Sequence, residues 1–199
     1  MQHIYFIRHA ESEHNGTANL LSGTSDVPLS DHGITESKRL AATMLKLNIE
    51  TIISSPLMRA VHTTQLLFPD QPFIVDDSLI EFDYGDYEGV SGNDNTDHVL
   101  RQWNNNPADL RFPNGGHIKE HANSVLVGVN ELVTSIDSTH IALVSHRTTG
   151  RLLVAMVLGM DLNLFRSIPM DNCSLSEFVL LDTGRLSLKS LNLDISIFD

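Results

Sequence analysis

Short apolar runs alternate with amphipathic stretches along this chain, so strands and helices are expected to alternate too. Residues 3–8, His3-Ile4-Tyr5-Phe6-Ile7-Arg8, read as a strand buried on both faces, because four consecutive apolar positions leave no polar side. Ser30 and Asp31 are placed to cap a helix running to about Leu47, with Ile34, Ala41, Met44 and Leu45 along its apolar face. Thr51-Ile52-Ile53-Ser54 reads as a second strand. Pro56 then suits a first helical turn, where its missing N–H costs nothing, and that helix runs to about Leu67. Phe73-Ile74-Val75 makes a short third strand. From Glu81 to Gly116 the chain is rich in Asp, Asn and Gly and loses periodicity, apart from one helix expected around His98–Trp103. An excursion of that length reads as a lid or specificity insertion around 82–116. Ile118, Ala122, Val125, Val129, Leu132 and Ile136 then form a helical stripe. Ile141–Val144 is a buried strand and Thr148–Leu158 an apolar helix. Residues 175–180 and 185–191 close the chain as an antiparallel hairpin turned at Asp182-Thr183-Gly184. This order predicts an α/β fold, a three-layer α/β/α sandwich around a mostly parallel sheet, with residues 1–199 as one domain.

Composition narrows the function classes. Hydrophobic content of 41% and charged content of 19% are ordinary for a globular protein. No long apolar span and no signal-peptide pattern stand out, so a cytoplasmic protein without a membrane partner is expected. The single cysteine, Cys173, excludes an internal disulfide and a cysteine-based zinc cluster, and reads as a small buried residue. A net charge of −12 argues against nucleic acid as a partner. His117 and His121 fall one helical turn apart but lack a third ligand in the pattern, so no metal or other cofactor is expected.

The candidate chemistry lies where apolar runs break. Arg8-His9 follows one buried strand and Ser145-His146-Arg147 another, at the carboxyl ends where open α/β sheets bind ligands. A guanidinium beside an imidazole suits a phosphate: one grips the oxygens and the other can attack phosphorus. In so acidic a chain, the cationic pocket must be local. Three further segments keep company with these. They are Gly23-Thr24-Ser25-Asp26-Val27-Pro28-Leu29-Ser30 with Gly33, Ser54-Ser55-Pro56-Leu57-Met58-Arg59-Ala60 with Thr63 and Thr64, and Leu79-Ile80-Glu81 with Gly85-Asp86-Tyr87-Glu88-Gly89.

On these five ordered segments the chain resembles the histidine phosphatase superfamily, in its phosphoglycerate-mutase-like branch. The resemblance implies that His9 is a nucleophile carrying a phosphohistidine. Arg8, Arg59 and His146 would form a cationic cradle, with Asn15 adding a neutral donor. Glu81 would give a proton to the leaving oxygen and later take one from water, with Asp83 and Glu88 near enough in sequence to contribute. Ser25, Asp26 and Thr63 read as structural. Three positions depart from the family pattern: Ala10 and Arg147 replace glycines, and His117 stands where relatives often carry a glutamate-serine pair. Arg147 either meets a second anionic group on the substrate or a carboxylate such as Glu81, or simply faces solvent. His117 is expected at the pocket rim.

The resemblance favours hydrolysis of a small phosphorylated metabolite, because the mutases of this pattern are longer. The alternatives are mutase-type phosphoryl transfer and a low-activity phosphate-binding or scaffolding protein. Tyr84, Tyr87, Trp103 and Phe112 either cover a substrate ring or pack the core, and the core is the expected fate for most of them. The closing hairpin and Ile195–Phe198 either form a dimer interface or simply close the sheet, so the oligomeric state stays open.

Overall fold

Strand β1 (Gln2–Arg8) divides its apolar residues between two cores. Ile4 and Phe6 pack on one side, Tyr5 and Ile7 on the other. Strand β4 (His140–Ser145) does the same, with Ile141 and Leu143 facing one way and Ala142 and Val144 the other. Strands buried on both faces need helices on both faces. The computed structural model describes residues 1–16 and 20–195. Its sheet has six strands in the order β3-β2-β4-β1-β5-β6, with β2 at Thr51–Ser54, β3 at Ile74–Val75, β5 at Ser174–Leu180 and β6 at Leu186–Asp194. The β3–β2, β2–β4 and β4–β1 pairs are parallel; β1–β5 and β5–β6 are antiparallel. The sheet is therefore mostly parallel with an antiparallel margin, and the α/β sandwich is as expected.

The helices are α1 (Glu13–Gly16), α2 (Asp31–Leu45), α3 (Met58–Leu67), α4 (His98–Asn105), α5 (Ile118–Thr134) and α6 (Arg147–Leu158). α2 and α3 cover one face of the sheet; α5 and α6 cover the other. The connection after β1 lies on the α2 side and the one after β4 on the α6 side. The crevice at the carboxyl ends of β1 and β4 is thus the point where the sheet changes hands, the usual ligand position in such folds.

Two details of the helices differ from expectation. In α2 the buried side is Gly33, Ser37, Leu40, Thr43 and Met44, while Leu45 is 63% exposed and Ile34 and Ala41 are half-buried. Small polar residues turn inward because α2 packs closely: a Cβ at Gly33 would lie 2.2 Å from the Glu11 carbonyl oxygen. Ser37 meets its own demand by donating to Gly33 O. Pro56 lies ahead of α3 rather than in its first turn, because the helix starts at Met58. Its opening N–H, on Met58, donates to Asp26 Oδ1 at 2.6 Å, a cap supplied from 32 residues away.

The 82–116 stretch forms α4 and short 3₁₀ turns. Phe82, Tyr84, Trp103 and Phe112 are buried together in edge-to-face contacts, with ring centroids 5.2–5.6 Å apart. Cys173 is buried and its thiol is pushed up to about 12 by desolvation, as suits a packing residue. Among the described residues no helix is long and apolar enough to cross a membrane. Ile195 is buried against the α2 side. The rest of the tail considered for a dimer contact, residues 196–198, lies outside the described residues.

Candidate active site

β1 and β4 run side by side with Arg8 opposite Ser145, so both chains leave the sheet together. His9 N donates to Ser145 O, and the rings of His9 and His146 end with centroids 5.1 Å apart. Arg8, His9, Asn15, Arg59, Glu81 and Arg147 line one pocket with Leu21 and Tyr84. His146 is fully buried beside His9. All seven residues singled out from the sequence therefore converge on one crevice.

The His9 ring has a defined proton. Its Nδ1 lies 2.7 Å from the Ala10 carbonyl oxygen, which can only accept. Nδ1 therefore carries the hydrogen, and Nε2 keeps its lone pair. Burial, then Arg59 and Arg8, hold the His9 pKa well below 6.5, so the ring is neutral at physiological pH. Around it the backbone is braced: Asn172 Nδ2 donates to His9 O, and Ala10 N donates to Thr63 Oγ1.

His146 is held differently. Its Nε2 lies 2.7 Å from the Ser55 hydroxyl, and its Nδ1 is buried without a protein partner. Burial, Arg59 and His9 push its pKa well below 6.5 as well. The expectation of a cationic His146 is thus corrected: two imidazoles and two guanidiniums in one desolvated space leave the imidazoles uncharged.

The guanidiniums are buried and tethered. Arg8 Nη1 donates to Met170 O, while its Nε has no protein partner. Burial first, and Arg147 next, pull Arg8 down to about 9, which leaves it charged at neutral pH. Arg59 comes from the first turn of α3. Its Nη1 donates to Ser25 O and its Nη2 to Gly23 O and Ser22 O, again leaving Nε buried and unpartnered. The other side of that loop belongs to Glu88, which accepts from the N–H groups of Gly23, Thr24, Ser25 and Tyr84. The Gly23 loop is clamped between an anion on its N–H side and a cation on its carbonyl side. A Cβ at Gly23 would sit 2.1 Å from Phe82 O, so only glycine fits.

Glu81 is buried at the start of α6. Its Oε2 accepts from Thr148 N, and its Oε1 from Thr149 N, Phe82 N and the Thr149 hydroxyl, all at 2.9–3.0 Å. Free amides at a helix N-terminus favour an anion, and Glu81 takes that place. Thr149 Oγ1 also lies 2.7 Å from Ile80 O and 3.2 Å from His121 Nε2. His121 therefore faces Thr149. Of the two carboxylates thought close enough to assist Glu81, Glu88 clamps the loop and Asp83 accepts from Gly85 N; neither lines the pocket. His117 is the N-cap of α5 and is not among the residues that line the pocket. Asn15 is held in a turn, its Oδ1 accepting from Ser12 N, and also reaches the pocket.

The roles of several supporting residues escaped the sequence reading: those of Ser55, Thr148, Thr149, Glu88 and the segment around Met170–Asn172. One signal was available. The first amides of a helix need acceptors, and a helix that begins at Arg147 requires an anion nearby.

The chain matches the histidine phosphatase superfamily (branch 1) over residues 4–194. It is 28% identical over 194 residues to phosphoserine phosphatase 1 of Hydrogenobacter thermophilus, covering 95% of this chain and 92% of that one. It is 29% identical over 182 residues to a Proteus mirabilis protein named "Probable phosphoglycerate mutase GpmB", covering 89% of this chain and 84% of that one. The structure of an alpha-ribazole phosphatase from Shigella flexneri aligns with a TM-score of 0.84 and 25% identity over 96% of each chain. The match runs through every strand and helix that delivers a side chain to the crevice, so the chain belongs to the histidine phosphatase superfamily and is a phosphoric monoester hydrolase.

Proposed function

We propose that this enzyme hydrolyses small-molecule phosphomonoesters through a phosphohistidine on His9, with arginines rather than a metal supplying the positive charge. The observation that carries this reading is the His9 tautomer. Nδ1–H is committed to Ala10 O, so Nε2 presents a lone pair beside two buried guanidinium nitrogens that lack protein partners. In the first step Nε2 attacks phosphorus, a P–N bond forms and the P–O bond to the leaving group breaks. The negative charge of the phosphate entering beside Glu81 favours a proton on its carboxyl, and the leaving oxygen takes that proton. In the second step water attacks phosphorus, its proton goes to Glu81, and the P–N bond breaks to release phosphate. Arg8 and Arg59 neutralise the phosphoryl oxygens through both steps, and Asn15 adds an uncharged donor through its NH₂ end. With the Ser55 hydroxyl donating to His146 Nε2, the His146 proton sits on Nδ1 and supplies another neutral donor. Arg147 lines the same pocket and extends it outward.

The relatives are named for different reactions, one of them a mutase. The assay therefore measures both release and transfer. Phosphate release from a panel of phosphomonoesters is followed with a chelator present, comparing the wild type with His9→Ala, and ³²P-labelled enzyme is trapped by rapid quench. The expected result is release that His9→Ala abolishes, with label on His9. Undiminished release by His9→Ala, or label on another residue, overturns the reading. Conversion of 3-phosphoglycerate to its 2-isomer without release would assign transfer instead.

A further inference from the structure

Beyond the catalytic pocket lies a second cavity of about 70 Å³, a few water molecules' worth of space. The two share Leu21, Tyr84 and Arg147, so they are adjoining compartments of one crevice. The second compartment adds Arg151 and Arg166 to Arg147. The Arg166 guanidinium lies over the Trp103 ring, 4.3 Å from its centroid, and its Nη1 is buried without a hydrogen-bond partner. Arg151 spends its Nε on Ile168 O. Neither Arg151 nor Arg166 pairs with a carboxylate among the described residues.

Charge is what makes this compartment unusual. The chain carries 25 acidic and 13 basic residues. Yet five arginines (Arg8, Arg59, Arg147, Arg151 and Arg166) line the joined compartments, with Glu81 the one carboxylate among the described lining residues. Arg147 and Arg166 depress Arg151 to about 10, after burial, and Arg147 acts on Arg166 in turn. A folded protein holds like charges together in a desolvated place only at a cost in stability. A phosphoryl group on His9's side accounts for Arg8 and Arg59, but not for the outer cations.

We propose that Arg151 and Arg166 bind a second oxyanion on the substrate's leaving group. The substrate is thus a phosphomonoester of an acid, or a bisphosphate, and not that of a neutral alcohol or an amine. Arg147 stands between the two anions and touches both compartments. A planar guanidinium fixed against Trp103 presents its N–H edge to the incoming oxyanion. The small volume suits a carboxylate or phosphate joined by a short linker, with any bulky part of the substrate left outside.

This inference rests on the phosphatase reading above, and its test separates the two. Wild-type kcat/KM is measured for 3-phosphoglycerate, propane-1,3-diol bisphosphate, glycerol 3-phosphate, phosphoethanolamine and p-nitrophenyl phosphate. One of the first two is expected to exceed glycerol 3-phosphate by roughly 10- to 100-fold, as expected for charge-assisted hydrogen bonds. Which of them does so tells carboxylate from phosphate. Arg166→Met and Arg151→Met should bring that ratio towards one, and Arg166→Lys should keep part of it. If the Met variants do not fold, the wild-type ratio and the Lys variant still decide. Glycerol 3-phosphate turned over as fast as both anionic substrates sinks the second subsite and leaves the phosphatase intact. No phosphate release from any compound, p-nitrophenyl phosphate included, sinks the phosphatase reading and the subsite with it.

Discussion

His9 and His146 occupy equivalent places. Each follows the last residue of a central parallel strand, Arg8 faces Ser145 across the ladder, and both rings are buried and held neutral by desolvation and by Arg59. Their partners differ. His9 Nδ1 meets a backbone carbonyl, which cannot turn round and donate. His146 Nε2 meets a serine hydroxyl, which can give or receive. One ring is locked as a lone-pair donor at Nε2, while the other is free to serve as a hydrogen donor at Nδ1. Strand position brings both to the phosphate; the hydrogen-bond partner assigns the chemistry.

If that comparison holds, the two substitutions must fail to different degrees. His9→Ala removes the atom that bonds to phosphorus and should lower kcat by at least about 10⁴-fold. His146→Ala removes one donor among several and should cost roughly 100- to 1000-fold, with the phosphoenzyme still formed. Steady-state rates and quench-trapped label on the two variants check both. Equal losses with no phosphoenzyme in either would erase the distinction. Ser55→Ala probes the hydroxyl itself. It frees the His146 tautomer without removing the ring, so a smaller loss of about 10-fold is expected. A Ser55→Ala enzyme as damaged as His146→Ala would mean that the hydroxyl does more than set a proton.

What the sequence revealed follows the same local logic. The strand ends were legible because an apolar run breaks to polar residues within two positions, and Arg8, His9 and His146 came with them. Glu81 was legible only through family resemblance, since its place is set by Thr148 and Thr149, more than 60 residues on. Glu88 looked like a helper of Glu81 because sequence distance was the only guide; in space it holds the Gly23 loop. Asp26 caps α3 from another segment, which is why Pro56 misled as a helix start. Arg166 was invisible for a similar reason. It sits in a 3₁₀ turn after α6, and only the packing of Trp103 from the 82–116 stretch turns it towards the crevice. Periodicity reports burial, and it does not report which buried polar groups have found each other.

The smallest expected effect concerns stability against pH, where the two rings should behave alike. Both imidazoles have folded-state pKa values below the unfolded value of about 6.5. The unfolded chain therefore binds more protons as the pH falls through 6.5. Their contribution is fully present above that pH and is lost on going down towards the folded values. Each ring that stays neutral in the fold costs at most about 1.4 kcal/mol per pH unit in this range. His121, also lowered by burial, adds to the same window. Carboxylates such as Glu177, whose pKa is depressed below 4.5, act at lower pH and leave the range between 6.5 and 5 to the imidazoles. Urea denaturation at pH 7.5 and 5.5 should thus show the wild type less stable at the lower pH. His9→Asn and His146→Asn should each flatten that difference by a similar amount, although their effects on catalysis diverge by orders of magnitude. A wild type equally stable at both pH values would mean that one or both rings accept a proton in the folded protein. The neutral nucleophile on which the chemistry depends would then have to be made on demand by the bound substrate.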